Sequence, residues 1–287
     1  MGEVVIGVIG GSGLYEIEGL EDARWRPAET PWGAPSDALL HGRLGGVRMV
    51  FLPRHGRGHV HDPSSVPFRA NVAALKMAGA THLVSVSAVG SFREEMAPGD
   101  FVVVDQFVDR TRARAGSFFG PGLVAHVSVA RPVCSALSLA CQEAAREAGA
   151  DVHMGGTYLA MEGPQFSTLA ESRLHRERWG CDVVGMTGMP EARLAREAEL
   201  HYACLAMVTD YDCWHPEHES VDVGDVIATL AANAGLARGA VAGLPARVGA
   251  PCTQGCDRAL EHAIITAPGA RDRAMVERLR RIAGRVL

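Results

Sequence analysis

The chain has 287 residues, of which 47% are hydrophobic and 6% aromatic, and it contains 33 glycines. This composition supports a large hydrophobic core and favours an α/β fold turned by glycines over an all-β sandwich. The formal net charge is −5 at pH 7 and the chain has no long Lys/Arg block, which argues against a nucleic-acid partner. Any anionic ligand must therefore be held by a local pocket.

Strands and helices alternate along the chain. Apolar, β-rich runs predict strands at 3–9, in a hairpin over 37–54 turned by Gly45-Gly46, and at 82–87, 101–108, 157–162, 181–186 and 201–208. Helical spacing of apolar residues predicts helices at 65–79, 133–148, 168–179, 190–199 and 222–242. This order predicts a mostly parallel sheet with helices on both faces. We expect one domain over residues 1–287, with residues 245–287 as a C-terminal helical tail.

Cysteine usage and hydropathy predict a cytoplasmic protein. The seven cysteines are odd in number and scattered, which indicates reduced thiols. The first residues lack a signal-peptide pattern, and no apolar run reaches the roughly 18 residues of a membrane span, so we expect no membrane association. Cys252 and Cys256 form a C-x3-C pair without a second pair, so we expect no metal site.

Loops that follow the predicted strands carry the residues best suited to bind an anion. Ligands of such sheets collect at the carboxyl ends of the strands. The loops there span 10–13, 54–59, 87–91, 186–188 and 209–212. Three of them offer hydroxyls and exposed N–H groups, and one offers Arg54 beside His55, a set that fits a single phosphate. The first loop lacks the third glycine of a dinucleotide fingerprint and the Gly-Lys pair of a P-loop.

The run HGRGHVHD leaves three interpretations open. His55, His59, His61 and Asp62 give an H-x3-H-x-H-D pattern that a metal-dependent hydrolase could use. The same residues could contact an anion or a substrate, or could be ordinary solvated histidines.

A second feature is the sequence TDYDCW, in which Asp210 and Asp212 are one residue apart. Side chains alternate along a strand, so both carboxyls would point to the same face of the sheet. Two carboxylates this close raise the pKa of one of them, so a proton shared by the pair at neutral pH is expected.

Eight motifs in order resemble the trimeric purine nucleoside phosphorylase family, and within it the branch that acts on methylthioadenosine. They are GVIGGSGLY, TPWGAPSDALL, RHGRGH, PSSVPFRANVAALK, SAVGSFREEMAPGDFVVVDQFVDRT, MEGPQFSTLAES, VVGMTGMPEARLAREAEL and MVTDYDCW, which together span roughly residues 5–240. The resemblance implies an α/β domain around a mixed, partly barrel-like sheet, and a homotrimer with active sites at subunit interfaces. It also implies phosphorolysis of methylthioadenosine to adenine and methylthioribose 1-phosphate in purine and methionine salvage, with inorganic phosphate as co-substrate and no other cofactor.

The resemblance also implies a role for individual residues. The phosphate-binding positions are Ser12, Arg54, His55, Ser87, Ala88 and Thr187. The nucleoside-binding positions are Phe166, Ser167, Met186, Asp210, Asp212, Val223 and Val226, with His59 and His126 closing the sugar pocket of a neighbouring subunit. Asp210 would face purine N7, and Asp212 would serve the 6-amino group or hold the proton. Ser167, where 6-oxopurine enzymes carry Glu, favours adenine.

Three alternatives stay open. Gly185 and Gly188 stand where adenine-specific relatives more often carry Asn and a bulkier residue, so a wider pocket for methylthioinosine or 6-oxopurine nucleosides is possible. Val223 and Val226 would favour a methylthio group by burial, but could equally be helix core that faces the sheet. A metal-dependent hydrolase built on the histidines is the remote alternative, and a non-catalytic nucleoside binder has no need of a phosphate set.

Overall fold

Eleven strands of the described residues form one mixed sheet. The computed structural model describes residues 3–11, 13–216 and 221–287. The strands are β1 (Val5–Gly10), β2 (Glu21–Arg26), β3 (Leu39–Leu44), β4 (Val47–Pro53), β5 (His82–Ser91), β6 (Phe101–Val104), β7 (Gln106–Asp109), β8 (Val152–Met154), β9 (Thr157–Ala160), β10 (Val183–Gly185) and β11 (His201–Asp210). The helices are α1 (Phe68–Met77), α2 (Ser135–Glu147), α3 (Leu169–Arg173), α4 (Gly188–Glu197), α5 (Val223–Gly243) and α6 (Arg273–Ala283).

Strand β5 is the centre of the sheet. It lies parallel to β1 and to β11, and its carboxyl end also pairs antiparallel with β10. The sheet therefore branches at β5: one path runs β2-β3-β4-β1-β5-β10-β9-β7, and β11, β6 and β8 extend the other. The predicted mixed, mostly parallel sheet is confirmed, as is the hairpin of β3 and β4.

Helices cover the sheet on both faces, as predicted. One core cluster packs Val72 of α1, Leu194 of α4 and Leu279 of α6 against the sheet. The other packs Cys141 of α2 and Val241 of α5 against the opposite set of strand side chains. Strands β1 and β6 are buried at every position, which is why their sequences are continuous apolar runs without alternation.

The structure corrects two predicted elements and contains two strands that were not predicted, β2 and β8. The single strand over 101–108 is wrong: the chain breaks at Asp105, because β6 pairs with β11 and β8 whereas β7 pairs with β9. The helix over 168–179 is shorter than predicted, since α3 passes into a π-helical turn at Leu174–Arg178. Strand β2 was missed because five of its six residues are exposed, which leaves no apolar alternation to detect.

Helix α5 is apolar but only partly covered. Val223 and Ile227 in its first turns are 57% and 59% exposed, and its burial is concentrated beyond Asn233. Among the described residues, one helical stretch, Val223–Ala246, is long and apolar enough to cross a membrane by length and composition alone. A single helix of this kind is weak evidence for a membrane span.

Candidate functional site

Two buried hydroxyls meet at the carboxyl end of the sheet. Ser87 lies near the end of β5, Thr187 lies directly before α4, and their Oγ atoms are 3.2 Å apart. The hydroxyl of Tyr158 in β9 is 3.4 Å from Ser87 Oγ and accepts hydrogen bonds from the N–H groups of Thr187 and Gly188. The hydroxyls of Ser87 and Thr187 can therefore donate to an oxyanion, while Tyr158 occupies the N–H groups at the start of α4 and holds that backbone in place.

Arg54 lies directly after β4 and is 2% exposed. Its Nε donates to Glu191 at 3.0 Å, and its Nη2 donates to Ser85 Oγ at 2.7 Å and to the Ile9 carbonyl at 3.1 Å. Nη1 donates to the Val86 carbonyl at 3.0 Å. These bonds account for Nε, Nη2 and one of the two Nη1 hydrogens. They hold the guanidinium rigidly and leave one N–H that could reach an anion.

His55 adds an acceptor to this region. Its Nδ1 lies 2.9 Å from the carbonyl of His61, and since a carbonyl only accepts, Nδ1 carries the hydrogen. Burial, with the nearby Arg54 cation, lowers the pKa of His55 to about 4. The ring is therefore neutral at pH 7, and its Nε2 can accept a hydrogen bond from a monohydrogen phosphate.

The three histidines of the HGRGHVHD run do not converge as metal ligands. The rings of His55 and His59 are stacked, with centroids 4.3 Å apart and an interplanar angle of 9°. Nitrogen lone pairs lie in the ring planes, so stacked rings direct them side by side instead of toward one ion. Among the residues that the structure describes, no metal-ligand cluster includes these histidines.

The loop at Met186 is held by a buried cation. Arg114 Nη1 donates to the carbonyls of Met186 and of Met189, the latter at 2.8 Å, and its Nη2 donates to the Glu162 carbonyl at 2.7 Å. Although burial opposes ionisation of Glu162, hydrogen bonds from Ser64 and from backbone N–H groups hold the pKa of Glu162 at about 2. The carboxylate and the guanidinium thus fix the loop that places Met186 and Thr187.

Asp210 and Asp212 are adjacent, but not through strand alternation. Strand β11 ends at Asp210 after a register shift, and Asp212 lies in a turn with φ of 53°. The backbone N–H of Asp212 donates to Asp210 Oδ1 at 2.8 Å, and Thr209 Oγ1 donates to Asp210 Oδ2 at 2.7 Å. The prediction that both side chains face the same way along a strand is therefore wrong, because the turn replaces the alternation.

The two carboxyls have different surroundings. Burial raises the pKa of Asp212, which is 4% exposed; the hydroxyls of Ser172 and Ser167 oppose this rise, while the charge of Asp210 adds to it. Asp210 accepts two hydrogen bonds, from the backbone N–H of Asp212 and from Thr209 Oγ1. The raised pKa of Asp212 makes this carboxyl a site for a proton next to Asp210.

Two glycines make room for buried polar groups. A Cβ on Gly90 in β5 would lie 2.7 Å from Asp210 Oδ1, so the carboxyl fits only because position 90 is glycine. A Cβ on Gly185 would lie 2.1 Å from the Tyr158 hydroxyl. The idea that Gly185 widens the ligand pocket is therefore wrong: Tyr158 occupies the space in which a side chain would lie.

The remaining predicted residues are exposed or half-buried in the single chain. Phe166 and Val223 are 42% and 57% exposed, and Val223 is therefore not helix core facing the sheet. His59 and His126 are exposed, whereas Val226, Ser167, Met186 and Ala88 are half-buried. Ser12 lies outside the described residues.

Sequence reasoning missed the residues that position the site. Glu191 is fully buried against Arg54, Tyr158 supports Ser87 and Thr187, and Arg114 with Glu162 clamps the Met186 loop. Glu191 and Glu162 stand inside the quoted motifs VVGMTGMPEARLAREAEL and MEGPQFSTLAES, where a charged residue beside apolar ones was a signal of burial with a partner.

Comparison with known proteins agrees with this geometry. The model of the phosphorylase superfamily matches residues 5–243. A curated S-methyl-5′-thioadenosine phosphorylase from Cereibacter sphaeroides is 67% identical over 99% of both chains, and one from Rhodospirillum rubrum is 56% identical over 99% of this chain and 97% of its own.

Solved structures show the same likeness. The crystal structure of a methylthioadenosine phosphorylase from an antarctic soil metagenomic library has a TM-score of 0.92 at 43% identity, over 98% of this chain and 99% of that chain. The methylthioadenosine phosphorylase from Schistosoma mansoni in complex with adenine has a TM-score of 0.82 at 39% identity, over 87% of this chain and 93% of that chain.

Proposed function

The chain belongs to the phosphorylase superfamily and, within it, to the S-methyl-5′-thioadenosine phosphorylases, and we propose that it cleaves S-methyl-5′-thioadenosine with phosphate. The products are adenine and S-methyl-5-thioribose 1-phosphate. The proposed chemistry rests on one observation: the side-chain oxygens of Ser87 and Thr187 lie 3.2 Å apart, at the same edge of the sheet as the carboxyl pair.

The distance between the hydroxyl pair, Ser87 and Thr187, and the carboxyl pair, Asp210 and Asp212, suits a nucleoside. Ser87 and Gly90 belong to the same strand, and Asp210 pairs with Gly90. Three residues of an extended strand span about 10 Å, at roughly 3.3 Å per residue. A phosphate at the hydroxyls and a purine at the carboxyls would thus lie on either side of one ribose.

Phosphate binding uses the buried donors. Ser87 and Thr187 donate hydroxyl hydrogens, the backbone at Ala88 contributes an N–H group, and Arg54 supplies positive charge. Neutral His55 accepts a hydrogen bond from the protonated oxygen of the phosphate and orients its free oxygens toward the sugar. Ser12 completes the set in our proposal by resemblance alone.

Leaving-group activation uses the two carboxyls. Attack of phosphate at the anomeric carbon gives an oxocarbenium-like sugar, and negative charge grows on the departing purine. We assign Asp210 to N7 and Asp212 to the proton reservoir and the 6-amino group. The raised pKa of Asp212 supports a proton held within the pair before it is delivered to N7.

Substrate choice rests on the groups around this pair. Ser167 beside Asp212 lacks the carboxylate that would accept from a 6-oxopurine N1–H, and Phe166 would pack on the base or sugar. Met186 would contact the ribose, and Val223 and Val226 would bury the methylthio group. With the space at Gly185 filled by Tyr158, the reason to favour a 6-oxopurine substrate is removed.

The exposed apolar residues support a homotrimer in the cytoplasm. Phe166, Val223 and Ile227 are all more than 40% exposed in the single chain, and covering such side chains stabilises an assembly. His59 and His126 would then reach the sugar pocket of a neighbouring subunit. The seven free cysteines fit a reducing compartment, where the enzyme would serve purine and methionine salvage.

The proposal is tested by comparing four nucleosides with and without phosphate. We expect kcat/KM to fall in the order methylthioadenosine, adenosine, then methylthioinosine and inosine, with base release only when phosphate is present. Equal release without phosphate would identify a hydrolase. Asp210→Asn should lose about 100-fold or more with methylthioadenosine and shift preference toward inosine-type bases. An equal loss for all four substrates would contradict the base-recognition role, and Asp151→Asn on the exposed surface is the matched control.

A further inference from the structure

A cluster of three cysteines and one histidine lies at the edge of the sheet opposite the candidate site. It consists of Cys134, His201, Cys252 and Cys256, whose ligand atoms all lie within 4.8 Å of one another. His201 begins β11 and Asp210 ends it, so nine residues of strand, about 30 Å, separate the cluster from the carboxyl pair. The cluster is therefore separate from the proposed reaction.

The distances suit a tetrahedral metal ion. Zinc binds sulfur at about 2.3 Å and nitrogen at about 2.0–2.1 Å, so tetrahedral ligands stand roughly 3.6 Å apart for a sulfur and a nitrogen and roughly 3.8 Å for two sulfurs. Cys134 Sγ is 3.4 Å from His201 Nδ1. Small side-chain shifts would bring the four atoms to the coordination distances.

Main-chain hydrogen bonds bring the ligands together from distant parts of the sequence. The N–H of Cys134, directly before α2, donates to the Tyr202 carbonyl at 2.7 Å. Gln254 lies between the other two cysteines, and its Oε1 accepts from the N–H of Ser135 at 2.7 Å. The cysteine loop after α5 is thus fastened to the start of α2 by bonds that need no metal, so the ligand set is largely preformed.

The surroundings can balance the charge of thiolates. Three thiolates and one divalent ion leave a net charge of −1. Arg196 Nη1 donates to Cys256 Sγ at 3.2 Å, and Cys134 stands at the amino end of the 13-residue helix α2, where the helix dipole favours negative charge. A neutral imidazole at His201 completes a set of soft ligands.

We propose that Cys134, His201, Cys252 and Cys256 bind one Zn²⁺ in a closed, structural site. Four protein ligands leave no open position for water or substrate, which distinguishes a structural zinc from a catalytic one. Binding displaces the thiol protons to solvent and requires no electron transfer. The zinc joins the C-terminal tail to the amino ends of β11 and α2.

The site gives the C-terminal tail a physical role. Beyond Cys256 the tail runs beside the segment 122–126: the N–H of His126 donates to the Ala263 carbonyl at 2.8 Å, and that of Ile265 donates to the Val124 carbonyl at 3.0 Å. Losing the metal should loosen the tail and, with it, the segment that carries His126. Cys252 and Cys256 are close in the sequence, but the other two ligands, Cys134 and His201, come next to them only in the folded chain.

The proposal is tested by metal analysis of the purified full chain, prepared with reducing agent and without chelator. We expect about one zinc per chain in the wild type and in Cys141→Ala, a buried cysteine of α2 outside the cluster. Cys252→Ala should lose the zinc. Cobalt substitution should give the visible absorption of tetrahedral thiolate coordination, and removal of zinc by chelation should lower the unfolding temperature.

Two results would overturn it. One is a metal-free wild type, supplied with zinc, whose seven thiols all react in denaturant. The other is a disulfide between two of Cys134, Cys252 and Cys256 in chain prepared without reducing agent, located by peptide mass mapping. Zinc content does not depend on any substrate, so this outcome is independent of the proposed phosphorolysis.

Discussion

The candidate site has an inner half and an outer half that differ in how they are held. The inner half consists of Arg54, Ser87, Thr187 and the carboxyl of Asp212, all buried and bonded to the core of one chain. The outer half consists of Phe166, Val223, His59 and His126, which are exposed. The groups that we propose for phosphate binding and proton storage are thus held within one chain, whereas the proposed enclosure of the sugar and base would require additional surface. The proposed trimer would supply that surface.

The largest difference between the halves should appear in stability. Glu191→Ala leaves the buried Arg54 charge unpaired, so we expect a loss of about 3–5 kcal/mol in the free energy of unfolding. Arg57→Ala, the surface comparison, removes an ion pair with Asp37 that involves an exposed guanidinium, and should cost far less because solvent screens exposed pairs. Denaturant unfolding of both variants measures these two losses in the free energy of unfolding. Equal losses would contradict the view that the inner half is part of the core.

A smaller effect should separate phosphate binding from nucleoside binding. Thr187→Val keeps the shape of the side chain but removes a hydroxyl donor, and a hydrogen bond to a charged group contributes about 1.5–3 kcal/mol. We therefore expect the KM for phosphate to rise about 10- to 100-fold, with a much smaller change in the KM for the nucleoside. Exposed Thr253→Val is the control. An equal rise in both constants would mean that Thr187 shapes the pocket in general.

The raised pKa of Asp212 predicts a stability change that depends on pH. The folded chain binds this proton more tightly than the unfolded chain, so the stabilisation is complete below the unfolded pKa of about 3.9 and is lost as the pH rises through the raised folded pKa. Asp212→Asn does not titrate, and Asn tolerates the left-handed backbone there. At pH 8 we expect this variant to be inactive but more stable than wild type.

Asp37→Asn is the matched control, with the opposite sign. A hydrogen bond from Arg57 lowers the pKa of Asp37, so its stabilisation is present at neutral pH and lost in acid. This variant should be less stable than wild type at pH 8. A loss of stability in Asp212→Asn at that pH would show that Asp212 is ionised and well solvated in the folded chain.

The smallest effect is expected in the outer half. Val223→Ser removes apolar surface from the proposed methylthio pocket, and each buried methyl or methylene contributes about 0.8 kcal/mol. We expect the preference for methylthioadenosine over adenosine to fall a few-fold. Ile227→Ser, equally exposed on the same helix, should leave the preference unchanged. An equal change of substrate preference in the two variants would contradict the placement of Val223 in the methylthio pocket.

Local sequence patterns predicted the structure correctly wherever the conformation of a segment depends on its own residues. Gly45-Gly46 turned the predicted hairpin, and glycine and hydroxyl residues after strands marked the loops of Ser87 and Thr187. Local sequence patterns gave wrong predictions where the geometry depends on a residue far away in the sequence. The left-handed turn at Asp212 replaced the expected alternation, Gly185 is explained only by Tyr158 of another strand, and Cys252 meets Cys134 only after folding.

Phosphorus NMR of the reaction mixture tests the central claim most directly. With methylthioadenosine and inorganic phosphate, we predict that a sugar 1-phosphate signal grows in step with the adenine released, while the inorganic phosphate signal falls by the same amount. Adenine release with an unchanged phosphate signal would show that water is the nucleophile, and would contradict the assignment of Ser87, Thr187 and Arg54 to phosphate.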